Sequence, residues 1–500
     1  MSIQRCLILG WMLAGLQVLS AAQNMPPQDA SSQSSGQNTS QSPAQSSNQN
    51  STQSPDDTNS RTAPAAALSA IAGIQGDSGT DDTRSDLPLI PALLGGAGIS
   101  STFLSNMQRS NYLRGGVNVG ATYDDNPLLV SGGAESNTSE TIFPNINISQ
   151  STSRTRWTLG YAGGLTVNQK ITSQNQGSHN LVFDSQYRLS PHVNLRVAET
   201  FSLTTGFFDA GNGGQTVIGS GGPNPSLITP LATQRSSTTT VEANYHFALN
   251  DLVGASGSFY DLNFTNVPTG VQQLSNSQTA SGSAFWLHRL FRGDWGGVSY
   301  RFDRITFSPN GESRVHSFYA VDTLNLSDRF SITGFIGPQY SLNQGLVVGT
   351  QQPTQPTQSN QWSVAGGVEG GWKNQKTSLT AGYSRGITDG GGLVGSVRLQ
   401  NVHAVFSREL LARWSVAMNA SHGSNDTLVA SLDSSATSIN VTSAGFSLGR
   451  TVQKSIGLRF GYAHDFQQQF GLPAPNTTLG AHSNRVFVTL SYQWAKPLGM

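Results

Sequence analysis

Histidine is a frequent choice for metal and proton chemistry, and this chain has nine, at positions 179, 192, 246, 288, 316, 403, 422, 464 and 482. A helical zinc site needs two of them four residues apart, or a His-Glu-x-x-His run, and neither spacing occurs. His464-Asp465 stands beside a long polar stretch, where it reads either as part of a site or as a solvated strand end. The serines lack the strand–turn–helix setting of a nucleophile elbow. The densest glycine cluster, Asp389-Gly-Gly-Gly392, is followed by no helix that could cradle phosphate, and reads as a flexible loop outside a membrane. The single cysteine is Cys6, inside an export signal, so the mature chain has no thiol for a disulfide, a nucleophile or zinc. No catalytic, cofactor-binding or metal-binding residue is predicted, and no enzymatic activity.

What remains are charged side chains on strand faces opposite apolar ones: Arg156, Asp184, Arg188, Glu242, Arg301, Asp303, Glu369 and Arg459. One reading makes them a pore lining whose mixed charges filter solutes. The other has them pair across strands and keep the interior hydrated. Either way they oppose a dry core, because burying so many charges without water is very costly.

The elements that would carry these residues follow from composition and period. Charged residues are 11% of the chain, against about 25% in soluble globular domains, hydrophobic residues 36%, and Gly 55 residues. The formal net charge of +0 argues against a nucleic-acid partner. From about residue 112 the chain alternates with period two, which puts apolar side chains on one strand face. Val486, Val488, Leu490, Tyr492 and Trp494 share a face opposite Thr489, Ser491 and Gln493. Val241, Ala243, Tyr245, Phe247 and Leu249 oppose Glu242, Asn244 and His246. The second face is polar or small, as for a wall lining water rather than a packed sandwich. Two strands break phase, near Asn401 and at Asp303-Arg304, and are read as bulges.

Short breaks at Ser190-Pro191, Asn250-Asp251, Arg292-Gly293, Asn374-Gln375 and Gln453-Lys454 alternate with long polar stretches at 124–138, 170–177, 204–235, 265–275, 342–358, 422–436 and 466–481. Tight turns at one end and long loops at the other predict an all-β fold, an up-and-down antiparallel transmembrane barrel of about eighteen strands, with sixteen or twenty as alternatives. Trp362 and Trp372 share a face; ten residues at about 3.3 Å each, tilted about 40°, span roughly 25 Å, the height of the lipid-facing band between aromatic girdles. Trp157, Trp362, Trp372, Tyr492 and Trp494 are accordingly candidate membrane-interface aromatics.

Residues 1–22 read as a signal peptide, with Arg5 in the n-region, an apolar run from Leu7 to Leu19 and small residues Ser20-Ala-Ala22 for cleavage. A transmembrane anchor is the competing reading, but the run is too short. Residues 23–60 are almost entirely Gln, Ser, Asn, Pro and Thr and are predicted to be disordered. Residues 61–110 form a linker whose apolar patch Leu87–Leu94 is broken by two prolines and either docks or stays loose. The barrel is expected over 111–495, with a tail at 496–500.

The final strand resembles the C-terminal assembly signal of bacterial outer-membrane barrels, although Ala495–Met500 continue past the aromatic Trp494. That resemblance implies the barrel assembly machinery and outer-membrane lipid as partners. Gly115-Gly-Val-Asn-Val-Gly-Ala-Thr-Tyr-Asp-Asp-Asn126 resembles the opening strand of the β-barrel porin type 2 group, which implies a link to extracellular polysaccharide. The leading expectation is a passive channel for small polar solutes, with its N-terminal segment in the periplasm. The alternatives are a polysaccharide exporter, a surface adhesin or receptor, and a soluble secreted β-protein.

Overall fold

The computed structural model describes residues 111–498 except 130–133, 173–174, 206–232, 266–273, 292, 309–310, 328, 345–357, 393–394, 412, 429–437 and 471–477. The expectations for 1–22, 23–60 and 61–110 therefore lie outside the described residues.

The chain makes one 18-stranded sheet. Its strands are β1 (Tyr112–Asp124), β2 (Asn137–Ser151), β3 (Thr155–Asn168), β4 (Gln176–Arg188), β5 (Val193–Thr205), β6 (Thr233–Ala248), β7 (Asp251–Thr265), β8 (Ser277–Phe291) and β9 (Asp294–Phe307). They continue as β10 (Gly311–Ser327), β11 (Phe330–Gln344), β12 (Gln358–Asn374), β13 (Thr377–Thr388), β14 (Val397–Leu411), β15 (Trp414–Thr427), β16 (Ser438–Gln453), β17 (Ile456–Phe470) and β18 (Thr478–Pro497). Each strand pairs antiparallel with the next, and β1 pairs with both β2 and β18, so the sheet closes on itself and leaves no edge. β18 runs past Trp494 to Pro497, because β1 extends equally far and supplies Tyr112, Leu113 and Arg114 as partners.

Closure gives the alternating pattern two different environments. On one face, Trp372, Leu379, Phe406, Met418, Phe446, Tyr462, Val486 and Tyr123 lie directly opposite one another across successive strands. Most stay well exposed, from 38% at Trp372 to 57% at Val486. Three residues away along β13 to β18, on the other face, lies the row Gly382, His403, Ser421, Ser443, Asp465 and Ser483. A continuous apolar exterior around a largely polar interior suits a barrel solvated by lipid and is unfavourable for one in water. No helix among the described residues is long and apolar enough to cross a membrane.

The interior departs from expectation in one respect. Leu252, Phe285, Leu287, Trp295, Tyr319, Val321 and Phe335 on β7–β11 alternate with outward residues and form a buried apolar cluster on the inner wall. The same feature corrects the bulges. Pairing runs without a shift through Asp303-Arg304 and through Asn401. The phase broke there because both faces carry apolar residues: Ile305 and Phe307 point inward beside outward Phe302, and Val397 and Leu399 point inward beside outward Val402. Register shifts occur instead next to tight turns, at His246/Ala248 and Arg289/Phe291 among others.

Two mid-strand prolines interrupt the ladders. Pro338 lacks an N–H, and the β10–β11 pairing steps from Ser317↔Gln339 to Ala320↔Ile336 across it. The backbones approach so closely there that a Cβ at Gly337 would run into the Phe318 carbonyl. Gly337→Val is expected to lower stability by about 1–3 kcal/mol through overpacking, read as a lower urea midpoint. Gly282→Ala, which meets open space within 4 Å, is expected to leave it unchanged. Equal midpoints for the two variants would refute the close approach.

The two ends of the barrel differ as expected. Tight turns join β2–β3, β4–β5 and each later even–odd pair, while the other connections are mostly long. The exception is β9–β10, joined at the long-loop end by 308–310 alone. Both described termini lie at the tight-turn end, where Tyr112 pairs with Pro497.

Candidate functional site

The charged residues gather on the inner wall because period-two alternation opposes them to outward aliphatics. Arg156, Gln186, Arg196, Glu242, Ser256, Ser283 and Arg301 lie directly opposite one another across β3 to β9. Three of them, Arg156, Glu242 and Arg301, were singled out by sequence. Arg196 was not, although its place between Leu195 and Val197 carried the same signal.

Each acid near this row has a cationic or polar partner. Arg196 Nε donates to Asp184 Oδ2 at 2.8 Å, and its Nη2 reaches the same oxygen. Arg301 grips Asp303, two residues along the same strand face, with Nη2 2.7 Å from Oδ1 and Nε 3.0 Å from Oδ2. Ser281 Oγ donates to Asp303 at 2.5 Å and accepts from Arg301 Nη2 at 3.0 Å. Asn244 Nδ2 donates to Glu242 Oε1 at 2.5 Å. Asp184 and Asp303 are thus paired with arginines on the inner face, as the paired reading expects.

The other sequence candidates are dispersed. Arg188 is exposed at the tight-turn end of β4, where its amide donates to the Arg154 carbonyl at 2.7 Å. Arg459, half-buried on β17, lies opposite Gly449 and Thr489. Glu369 on β12 faces Gly382, and the His403 ring fills the space that a Cβ on Gly382 would need. Among the described residues, Glu369 Oε1 and both His403 ring nitrogens have no hydrogen-bond partner.

The aromatic candidates lie on the outer face. Trp362 is 67% exposed and stacks obliquely on Tyr340 at 5.1 Å. Trp372, Tyr492 and Trp494 are exposed, and Trp157 donates from Nε1 to Gln150 at 3.1 Å.

Among the described residues, two loops fold inward at the long-loop end. The β13–β14 connection, read from sequence as a flexible glycine loop, is instead a docked turn. Asp389, Gly390, Gly391 and Gly392 are buried, and the three glycines have positive φ values of 80°, 59° and 114°, a region that disfavours side chains. The turn reaches inward-facing residues near the upper ends of β7 and β8. Ser277 Oγ donates to Asp389 Oδ2 at 2.7 Å, and the Ser275 amide donates to the Gly392 carbonyl at 2.8 Å. A Cβ on Gly392 would meet the Phe264 ring at 2.8 Å. Because β7 and β13 are separated by five intervening strands, this turn cuts across the mouth rather than along the wall.

Burial pushes the Asp389 carboxyl up, against hydrogen bonds from Ser277, the Gly391 amide and Thr388. The docked turn thus favours the protonated acid. Docking should tighten at low pH and loosen as pH rises from the ordinary aspartate value of about 3.9 toward the raised one. Open-channel current noise recorded over this range is expected to grow with pH in the native chain and stay flat in Asp389→Asn. The same growth in both would contradict the assignment.

The second loop follows β1. The Asn126 amide donates to Asp124 Oδ1 at 2.8 Å, its Nδ2 donates to the His482 carbonyl at 2.8 Å, and Leu129, at φ 48°, packs on Val397, Ile439 and Val441 of the inner wall. Below it the seam is clasped by charge. Arg485 on β18 reaches Asp465 on β17 with Nη2 and lies 3.7 Å from Asp124 on β1, and all three are buried. Ser483 donates to both Asp124 oxygens at 2.9 and 3.0 Å, and Asn484 donates twice to Asp125 at 2.7 Å. The Asp124-Asp-Asn126 motif thus ties the first strand to the last.

No family model matches the chain, and no curated protein matches it. Among solved structures, the unliganded ferric citrate transporter FecA superposes with a TM-score of 0.38 at 7% identity, covering 77% of this chain and 79% of that one. OccK2 (OpdF) of Pseudomonas aeruginosa gives 0.38 at 10% identity, covering 77% and 98%. OccAB3 of Acinetobacter baumannii gives 0.36 at 10%, covering 77% and 99%. The overlap is too shallow to carry a function across.

Proposed function

We propose that this chain is an outer-membrane channel for the passive passage of small polar solutes, and not an enzyme. The observation that carries the reading is a closed 18-stranded wall with an apolar exterior and a charged interior, narrowed at one mouth by the inward turn at Asp389–Gly392. An apolar belt needs lipid, and a row of paired charges needs water or polar solute. The tight-turn end, where Tyr112 pairs with Pro497, would face the periplasm. The candidate aromatics would sit at the two lipid interfaces.

The likeness of Gly115–Asn126 to the opening strand of the type 2 porin group supports a porin-like barrel. The resemblance of the last strand to an assembly signal supports insertion by the barrel assembly machinery. Trp494→Ala is expected to reduce the folded, heat-modifiable form in membranes, and normal insertion would count against that role.

Liposome swelling tests passage itself. Vesicles holding the folded chain should swell in isosmotic solutions of small neutral sugars, more slowly as the sugar grows. Swelling no faster than in empty vesicles would refute free diffusion.

A further inference from the structure

We propose that the outer face of the β9–β10 hairpin is a binding surface for a lipid with an anionic phosphate headgroup, held by Arg304 and Arg314. This rests on the exterior being lipid-facing, as the channel reading requires. Arg304 and Arg314 lie directly opposite each other on neighbouring strands, and both point outward, because Asp303, Ile305, Ser313 and Val315 beside them in the chain are buried inward. Like charges directly opposite on one sheet face repel. One carboxylate lies between them: Glu312 accepts from Arg304 Nε at 3.0 Å and Nη2 at 3.1 Å, and from Arg314 Nε at 2.5 Å. Two guanidiniums on one acid leave one positive charge in excess. The arginine side chains remain 52% and 44% exposed, whereas Glu312 is 21% exposed.

The surroundings select a lipid over a free anion. Two residues along each strand toward the membrane, Phe302 and His316 pack with tilted rings 4.9 Å apart. Tyr300 and Phe318 follow at 4.8 Å, with Tyr300 Oη 2.8 Å from His316 Nδ1. The column therefore runs from aromatic to cationic over one step of the strand, matching the order of acyl chain, interface and phosphate in a leaflet. The connection above it spans only 308–310, the shortest at that end. Arginine suits the role because each guanidinium already oriented by Glu312 keeps further N–H groups for phosphate oxygens.

The test uses the full chain folded in dodecyl maltoside micelles, with phosphatidic acid, diacylglycerol of the same chains and inorganic phosphate as probes. The native chain should bind phosphatidic acid roughly tenfold more tightly than diacylglycerol. Arg304→Gln/Arg314→Gln should lose that preference while keeping its heat-modifiable mobility, and inorganic phosphate should compete only weakly. A preference that survives in the double variant, or inorganic phosphate competing as well as the lipid, would overturn the proposal. A folded chain that conducts without any phosphate preference sinks this surface alone; one that shows the preference without conducting sinks the channel alone.

Discussion

Arg485→Ala is expected to destabilise the barrel by about 3–5 kcal/mol, the usual result of removing one partner from a buried charge cluster. Arg485 reaches Asp465 on one neighbouring strand and approaches Asp124 on the other, so its loss leaves two buried carboxylates without their shared cation. The effect should fall on closure, since β1 and β18 are the pair that turns a sheet into a barrel. Urea titration of the folded chain should show a much lower midpoint, with the folded band on unheated gels lost early. Replacing all three charges together, as Asp124→Asn/Asp465→Asn/Arg485→Met, should restore much of the loss, because the uncompensated charge is what costs most. A midpoint unchanged in Arg485→Ala would mean that backbone pairing alone holds the seam.

Gly392→Val should release the inward turn and raise single-channel conductance by roughly twofold or more, the direction expected when a constriction is withdrawn from a pore. Two independent effects act at this position. Its φ of 114° disfavours a β-branched residue, and the added side chain would collide with the Phe264 ring. Ser277→Ala offers a milder version, removing one donor from the buried Asp389 carboxylate without strain. Conductance should therefore rise in the order native, Ser277→Ala, Gly392→Val. A fall in conductance on Gly392→Val, with the barrel still folded, would mean that this turn does not narrow the open pathway.

The barrel itself was legible in the sequence because the outer face is so uniform. Wherever Val241, Tyr245 and Phe247 alternate with Glu242, Asn244 and His246, period two states both strand and orientation. The rhythm of short and long connections then supplied the strand count. Legibility failed where both faces are apolar. Along β9, Phe302 faces out while Ile305 and Phe307 face in, and alternation cannot tell that arrangement from a slipped phase; hence the bulges that the register removes.

The site was legible in part. Arg156, Glu242 and Arg301 were recognisable from local pattern, and register then placed them opposite one another across six strand pairings. What makes Asp389 informative is a contact with Ser277, 112 residues away. No local pattern distinguishes a glycine turn that docks from one that does not. Arg485 directly precedes the run Val486–Trp494 whose alternation was clearest, yet its value lies in Asp465 on the neighbouring β17 and in Asp124, which only closure brings to it.

The most direct test is the current carried by the refolded chain in a planar lipid bilayer. Discrete, ohmic steps are expected in potassium chloride, larger in Gly392→Val than in the native chain. A correctly folded, heat-modifiable barrel that inserts but passes no ions would contradict the claim that its charged interior is a water-filled path.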